Sequence, residues 1–217
     1  MRFVVTAGPT REPIDPIRYL SNRSSGKMGY AIAEAALGAG HDAVLISGPV
    51  NLKPPPGAKL IPVLTSDEMF DAVNQSLADC DVLVMAAAVA DYKSMNVSST
   101  KIKKRDPELS LKLIRTRDIL AAIAQADRDC LVVGFAAETE NIEENARKKL
   151  HEKNLDMVVA NDVSDPTVGM ESAENEVTVL FRDGQKERIP RASKENIARE
   201  LVKIFANVRE KCLTKKM

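Results

Sequence analysis

Two runs in this chain, Val82-Leu83-Val84-Met85 and Leu131-Val132-Val133, are apolar at every position. A strand with one wet face alternates apolar and polar side chains. A strand with no polar position is covered on both faces, which is the mark of a parallel sheet held between helices. The flanking sequence agrees. Strands are expected at about 2–7, 43–47, 59–64, 82–86, 131–135, 157–160 and 177–181, and helices near 27–38, 66–77, 116–125, 140–152 and 193–210. Thr65-Ser66-Asp67-Glu68 supplies a hydroxyl N-cap ahead of first-turn acids. The alternation predicts an α/β fold: a Rossmann-like, doubly wound, mostly parallel sheet. Glu176 to Ile189 alternates instead, crosses the polar Arg182-Asp183-Gly184-Gln185 turn, and reads as an antiparallel edge hairpin. Ile197, Leu201 and Ile204 give the final helix an apolar face. One domain over 1–210 and a flexible tail over 211–217 are expected.

Lys+Arg and Asp+Glu number 31 each in 217 residues, so the net charge is zero. That argues against a general nucleic-acid or membrane-surface binder. No apolar run approaches a membrane span and no signal-peptide pattern occurs, so a cytoplasmic location is expected. Cys80, Cys130 and Cys212 share no metal-ligand spacing, and the two histidines, His41 and His151, suggest neither a zinc site nor a hydrolase triad.

Residues 21–29, Ser-Asn-Arg-Ser-Ser-Gly-Lys-Met-Gly, open directly into the helix expected from 27. A hydroxyl- and glycine-rich segment at a helix start leaves backbone N–H groups at the positive end of the helix dipole, which is a phosphate site. Ser24, Ser25 and Gly26 are its candidates. The alternative is a serine N-cap, with Gly29 serving close helix–sheet packing. A Walker A loop is excluded, because Met28 follows Gly26-Lys27. A dinucleotide fingerprint is disfavoured, because only Gly26-x-x-Gly29 is present and the strand ending Ile46-Ser47-Gly48-Pro49 lacks the ribose acid.

Two long insertions, 8–26 and 92–112, interrupt the alternation, and both are expected to border the crevice at the strand ends. Ala86-Ala87-Ala88-Val89-Ala90-Asp91 and Gly134-Phe135-Ala136-Ala137-Glu138-Thr139 follow strands and carry little bulk. Ala87, Ala88 and Phe135 therefore suit a nucleotide pocket read by backbone groups; tight helix–sheet packing is the alternative. Lys101-Ile102-Lys103-Lys104 is a basic run that acts as a solvated loop or as a flap over phosphates. Lys149 and Lys153 share a helix face at i, i+4, either toward phosphates or toward Glu143, Glu144 or Glu152. Asp91 and Asp162 follow strand ends and suit Mg²⁺, a ligand hydroxyl or a cap. The Asn22 amide donates to a developing oxyanion without changing charge.

With these residues in hand, the chain resembles the phosphopantothenate–cysteine ligase family. The motifs that match in order are Arg18-Tyr19-Leu20-Ser21-Asn22-x-Ser24-Ser25-Gly26-Lys27-Met28-Gly29, Ala87-Ala88-Val89-Ala90-Asp91, Lys101-Ile102-Lys103-Lys104, Gly134-Phe135-Ala136-Ala137-Glu138-Thr139 and Ala160-Asn161-Asp162-Val163. The resemblance implies a ligase of coenzyme A biosynthesis. The phosphopantothenate carboxylate attacks the α-phosphate of CTP, pyrophosphate leaves, and cysteine then displaces CMP from the acyl-cytidylate. It implies Mg²⁺ with the nucleotide. It places Asp91, Lys101, Asp118, Ile119, Phe135, Lys149 and Lys153 at nucleotide positions, and Ser24, Ser25, Gly26, Asn161 and Asp162 toward phosphopantothenate. Asn22 falls where the acyl intermediate is handled, and Arg18 at another functional position. It implies a homodimer closed by a lysine-bearing flap, and a flavin-dependent decarboxylase as a fused half or separate partner. Arg23 stands where some members carry His, and Arg115-Thr116-Arg117-Asp118-Ile119 where many read Asn-Pro-Asp-Ile. A nicotinamide oxidoreductase and a nucleotide-binding regulatory module are the competing readings.

Overall fold

The structure, a computed structural model, describes residues 1–104, 108–126, 128–162 and 172–214. In chain order the elements are β1 (Arg2–Ala7), β2 (Arg11–Pro13), β3 (Tyr19–Ser21), α1 (Lys27–Gly38), β4 (Asp42–Ser47), β5 (Lys59–Pro62), α2 (Ser66–Ser76), β6 (Val82–Met85), β7 (Tyr92–Ser94), β8 (Leu113–Arg115), α3 (Ile119–Gln125), β9 (Leu131–Glu138), α4 (Ile142–Glu152), β10 (Met157–Asp162), β11 (Glu174–Phe181), β12 (Lys186–Ser193) and α5 (Lys194–Thr214).

Eight strands form one sheet in the order β12-β11-β10-β9-β6-β1-β4-β5. The strands from β5 to β10 in that order run parallel. β11 runs antiparallel to β10, and β12 antiparallel to β11. The expected doubly wound sheet with an edge hairpin is therefore present. Two reversals bring the end of β12 back to the edge where the parallel strands end.

Alternate residues of each buried strand feed opposite cores. Phe3 and Val5, with Val82, Val84 and Val133, meet α1 and α5, where Ile32 and Phe205 are fully buried. Val4, Leu83 and Val132 face the other way, toward Met69 of α2, Ile123 of α3 and Leu150 of α4. Cys80 and Cys130 sit in this second core as buried thiols. Among the described residues no helix is long and apolar enough to cross a membrane.

Several boundaries differ from the sequence expectation for identifiable reasons. The helix expected from 116 starts at Ile119, because the Asp118 carboxylate caps it by accepting from Ala121 N–H at 2.9 Å. The helix expected from 140 starts at Ile142, after Asn141 turns left-handed at φ 49°. The strand beginning at 131 runs on to Glu138, since β10 pairs with it over its full length. The tail expected from Lys211 is helical as far as Thr214. The first arm of the edge hairpin begins at Glu174, with a register shift between Asn175 and Val177. At α2 the Thr65 cap is as expected, its hydroxyl accepting from Glu68 N–H at 3.2 Å.

The two insertions are not structureless. β2 pairs with β3 and β7 pairs with β8, each in a short antiparallel ladder. The two ladders stand together beside the sheet edge, joined by Ser98 N–H to Ile14 C=O at 3.0 Å. A buried carboxylate strengthens the joint. Asp15 accepts from Ile17 and Arg18 N–H, from the Arg18 guanidinium through both Nε and Nη2, and from Ile102 N–H at 3.1 Å.

Candidate active site

Where the parallel strands end, a cleft of about 840 Å³ opens. Such a crevice is the general ligand position in this class of sheet. Its floor is the alanine run after β6. Ala87 N–H donates to Thr6 Oγ1 at 3.2 Å, Ala88 N–H to Gly8 C=O at 2.9 Å, and Ala90 N–H to Thr10 Oγ1 at 3.0 Å. The run is thus zipped to the segment after β1. Backbone groups that the sequence leaves for reading a base are here engaged in holding the floor. The Ala87 and Ala88 side chains line the cleft, and their small size keeps it open.

Asn22 reaches this floor from the segment after β3. Its amide nitrogen donates to Ala88 C=O at 3.1 Å and to Val89 C=O at 3.2 Å. The serine N-cap alternative for residues 24–26 does not hold. Gly26 is itself the N-cap of α1, at φ 76°, and no side chain caps the helix. Gly26, Lys27, Met28 and Gly29 all line the cleft, so the positive end of α1 opens into it. Gly29 also packs as the alternative reading required: a Cβ there would lie 2.6 Å from the Ala7 Cβ. Ser24 lines the cleft, whereas Ser25 is not among the lining residues.

The other wall comes from β8, α3, β9 and α4. Thr116, Arg117, Asp118, Ile119, Phe135, Lys149 and Lys153 line it. Thr116 is fixed by its hydroxyl to Ala90 C=O at 2.7 Å. Lys149 donates to Phe135 C=O at 2.6 Å, and Lys153 pairs with Asp118 at 2.5 Å. The i, i+4 lysines therefore face the cleft, and the surface acids are taken by neighbours: Glu143 by Arg147 and Lys186, Glu152 by Lys148. Burial pushes the Lys149 ammonium below its usual pKa, against the pull of Glu138, Asp91 and Asp118. Partial burial raises the Asp118 pKa, but hydrogen bonds from Lys153 and Ala121 N–H and the charges of Lys153 and Lys149 together bring it below its ordinary value.

Asp91 and Asn161 also line the cleft. Asp162 ends β10, and its side chain, with Val163 beyond it, lies outside the described residues. Arg18 and Lys101 are not brought into the cleft wall of the single chain. Arg18 binds Asp15 and donates to Ile102 C=O at 2.8 Å, so it grips the lysine-bearing loop one residue from Lys101. Lys103 and Lys104 are exposed beside it, and Arg105 is outside the described residues. No cluster of three or more metal-type side chains exists among the described residues.

Asn175 and Lys194 are among the lining residues that the sequence does not mark as candidates. Asn175 lies at the start of β11, beside the end of β10, and Lys194 at the start of α5, which the β11–β12 hairpin returns to the cleft edge. No local pattern announces that return.

Comparison with known proteins gives this geometry a family. The chain is 47% identical over 204 residues to the coenzyme A biosynthesis bifunctional protein CoaBC of Bacillus subtilis, covering 94% of this chain and 50% of that protein. It is 49% identical over 190 residues to the CoaBC of Escherichia coli, covering 86% of this chain and 47% of that protein. The chain thus spans about half the length of these relatives. A crystal structure of the C-terminal domain of a CoaBC superposes with a TM-score of 0.84 at 41% identity, over 97% of this chain and 96% of that one. The family model for the DNA/pantothenate metabolism flavoprotein C-terminal domain matches residues 1–208. With the cleft, the sheet order and the matched length in agreement, the chain belongs to the DNA/pantothenate metabolism flavoprotein C-terminal domain family.

Proposed function

We propose that this chain is a ligase of coenzyme A biosynthesis that joins phosphopantothenate to L-cysteine while CTP is cleaved to CMP and pyrophosphate. The observation that carries the reading is the convergence of Asn22, Asp91, Asp118, Phe135, Lys149 and Lys153 on one cleft from separate segments of the chain. The names of the full-length relatives, which describe coenzyme A biosynthesis, support it.

In the first half-reaction a carboxylate oxygen of phosphopantothenate forms a bond to the α-phosphorus of CTP, and the bond to pyrophosphate breaks. Negative charge grows on the phosphoryl oxygens, and fixed cations there lower the barrier. Lys149 and Lys153 supply charge from α4. Lys101 supplies it from the loop that Asp15 and Arg18 hold at Ile102. In the second half-reaction the amine nitrogen of cysteine bonds to the acyl carbon, the bond to CMP breaks, and a proton leaves the amine. Asn22, held at the floor of the cleft by the Ala88 and Val89 carbonyls, gives up one of them to donate an amide N–H to the acyl oxygen of this intermediate. Ser24, Gly26 and the open end of α1 suit a phosphate group, with Ser25, Asn161 and Asp162 completing the phosphopantothenate side.

Mg²⁺ is bound mostly through substrate phosphates and water, with one or two carboxylates from the protein. The exposed Asp91, which lines the cleft, fits that role better than a closed protein cage would. When bound, the ion neutralises phosphate charge. A homodimer is supported by the exposed Ile17, Tyr19, Tyr92, Val97 and Leu113, apolar side chains on and beside the β2–β3 and β7–β8 ladders that a second copy would cover. A flavin-dependent decarboxylase, fused or separate, is the expected partner for a domain that covers half of its relatives.

Incubation with CTP, phosphopantothenate and cysteine, followed by mass spectrometry, tests the reading. The expected product is the amide between the phosphopantothenate carboxyl and the cysteine amine, with CMP and pyrophosphate. A folded sample that binds CTP and forms no amide would move the chain to the regulatory reading.

A further inference from the structure

At the end of the sheet away from the cleft, the chain enters β6 and β9 through two cysteines. Cys80 stands just ahead of β6, and Cys130 directly ahead of β9. These strands are hydrogen-bonded neighbours, with Val82 opposite Leu131, and Leu131 N–H donates to Asp81 C=O at 2.9 Å. Neighbouring strands lie about 4.8 Å apart, a spacing that a disulfide can bridge. Both side chains belong to the same core, and the two thiols share a hydrogen bond. Neither lines the cleft.

The pair is buried but not sealed. A second cavity, of about 370 Å³, opens where α3 ends, β9 starts and α5 ends. Cys130 lines it and Cys80 does not, so a small solute meets Cys130 first, with Cys80 behind it. Cys212, exposed on α5, lines the same cavity. The surroundings favour charge on the Cys130 sulfur. The hydrogen bond from Cys80 and then the Arg128 guanidinium hold it below the usual thiol value, against burial and Asp156. Arg128 is fixed there by donating to Cys130 C=O and Asn154 C=O, both at 2.8 Å, and by pairing with Asp156. The same thiol hydrogen bond, with burial, pushes Cys80 up, so Cys80 keeps its proton and donates it. Arg209 also lines the cavity at 6% exposure, and its buried Nε has no acceptor among the described residues. A thiolate beside guanidinium groups, open to small solutes and in reach of a second thiol, is poised for oxidation in two steps.

We propose that Cys130 and Cys80 form a peroxide-oxidised site, in which Cys130 reacts first and Cys80 closes a disulfide. The Cys130 sulfur forms a bond to one peroxide oxygen, the O–O bond breaks, and the departing hydroxide takes a proton from solvent to become water. Cys130 is then a sulfenic acid. The Cys80 sulfur bonds to the Cys130 sulfur, the S–O bond breaks, and the oxygen leaves as water with the Cys80 proton. The two sulfurs lose two electrons and the peroxide gains them. The Arg209 Nε offers a donor to the departing oxygen. The bridge closes residues 80–130, which carry the alanine floor, the lysine-bearing loop and α3.

Peptide mapping after peroxide treatment of the folded chain tests the site. Wild type, Cys212→Ser, Cys80→Ala and Cys130→Ala are treated with hydrogen peroxide, with and without dimedone, then unfolded, alkylated and digested for mass spectrometry. Wild type and Cys212→Ser are expected to lose both core thiols together and to give a cross-linked peptide pair, Cys80 to Cys130, that a phosphine reductant separates. Cys80→Ala should stop at the Cys130 sulfenic acid, which dimedone traps. Cys130→Ala should slow loss of the Cys80 thiol about tenfold or more. Core thiols that stay alkylatable while Cys212 is consumed, a bridge from Cys130 to Cys212, or Cys80 oxidised equally fast without Cys130 would each overturn the proposal. If an alanine variant does not fold, the mapping in Cys212→Ser decides: a Cys80 to Cys130 bridge supports the site, and two intact core thiols reject it.

Discussion

The Lys149 ammonium donates to the carbonyl oxygen of Phe135 at 2.6 Å, tying α4 to β9 where that strand leaves the core and enters the cleft. The bond holds a cation at the nucleotide wall and satisfies a half-buried carbonyl with one side chain. Lys149→Met is expected to weaken CTP binding by about tenfold or more, since a charge-assisted contact is worth about 1.5–3 kcal/mol. Burial lowers the Lys149 pKa, so its charge is present below that pKa and is lost as pH rises through it, earlier than for an exposed lysine. CTP affinity measured by calorimetry should therefore fall on the alkaline side. Lys149→Arg, which does not deprotonate, should flatten that fall.

The Asp15 carboxylate is held far below the usual range, by Arg18 first and by backbone donors including Ile102 N–H. A depressed carboxylate pKa stabilises the fold above its unfolded value, near 3.9, and that contribution is lost as pH falls through the folded value. Wild type should lose stability below about pH 4 with a steeper slope than Asp15→Asn. The same variant releases the loop at Ile102. Hydrogen exchange of the Ile102 amide should accelerate, and nucleotide cleavage should drop about tenfold or more, as misplacement of a reacting group predicts. Exchange and cleavage unchanged from wild type would remove the positioning role of the Asp15–Arg18 pair.

Gly29 packs against β1 so closely that a Cβ would lie 2.6 Å from the Ala7 Cβ and 2.9 Å from the Thr6 carbonyl oxygen. Gly29→Ala must push α1 from the sheet, at a cost of about 1–3 kcal/mol. Denaturant unfolding should show it. Binding of phosphate ligands should weaken as well, because the displaced end of α1 lines the cleft.

Asn22→Asp replaces an amide donor with a carboxylate facing Ala88 C=O and Val89 C=O. Amide formation should fall about 100-fold. Pyrophosphate release should persist and the acyl-cytidylate should accumulate, as rapid-quench mass spectrometry would reveal. Normal product yield with no trapped intermediate would contradict the role given to Asn22.

The sheet was legible in the sequence because Val82 to Met85 and Leu131 to Val133 have no polar position, and only a doubly covered strand tolerates that. The start of α1 at Lys27 was legible from the glycine and hydroxyl residues ahead of it. The β2–β3 and β7–β8 ladders were not. Each strand is three residues long, too short for periodicity, and Tyr92 meets Arg115 only through the folded chain. The alanine run was legible as small, but not as bonded. Its amides are consumed by Thr6, Gly8 and Thr10, which are distant in sequence. Asn175 reaches the cleft because β11 starts where β10 ends, and Lys194 because the β11–β12 hairpin returns the chain there, so no motif around either residue marks them.

Acyl activation in this cleft is decided by pyrophosphate release from CTP, measured with and without phosphopantothenate and with and without cysteine. Release is expected to require phosphopantothenate and to proceed at least to one equivalent without cysteine. Release that ignores phosphopantothenate, or none from a folded sample that binds CTP, would contradict acyl activation in this cleft.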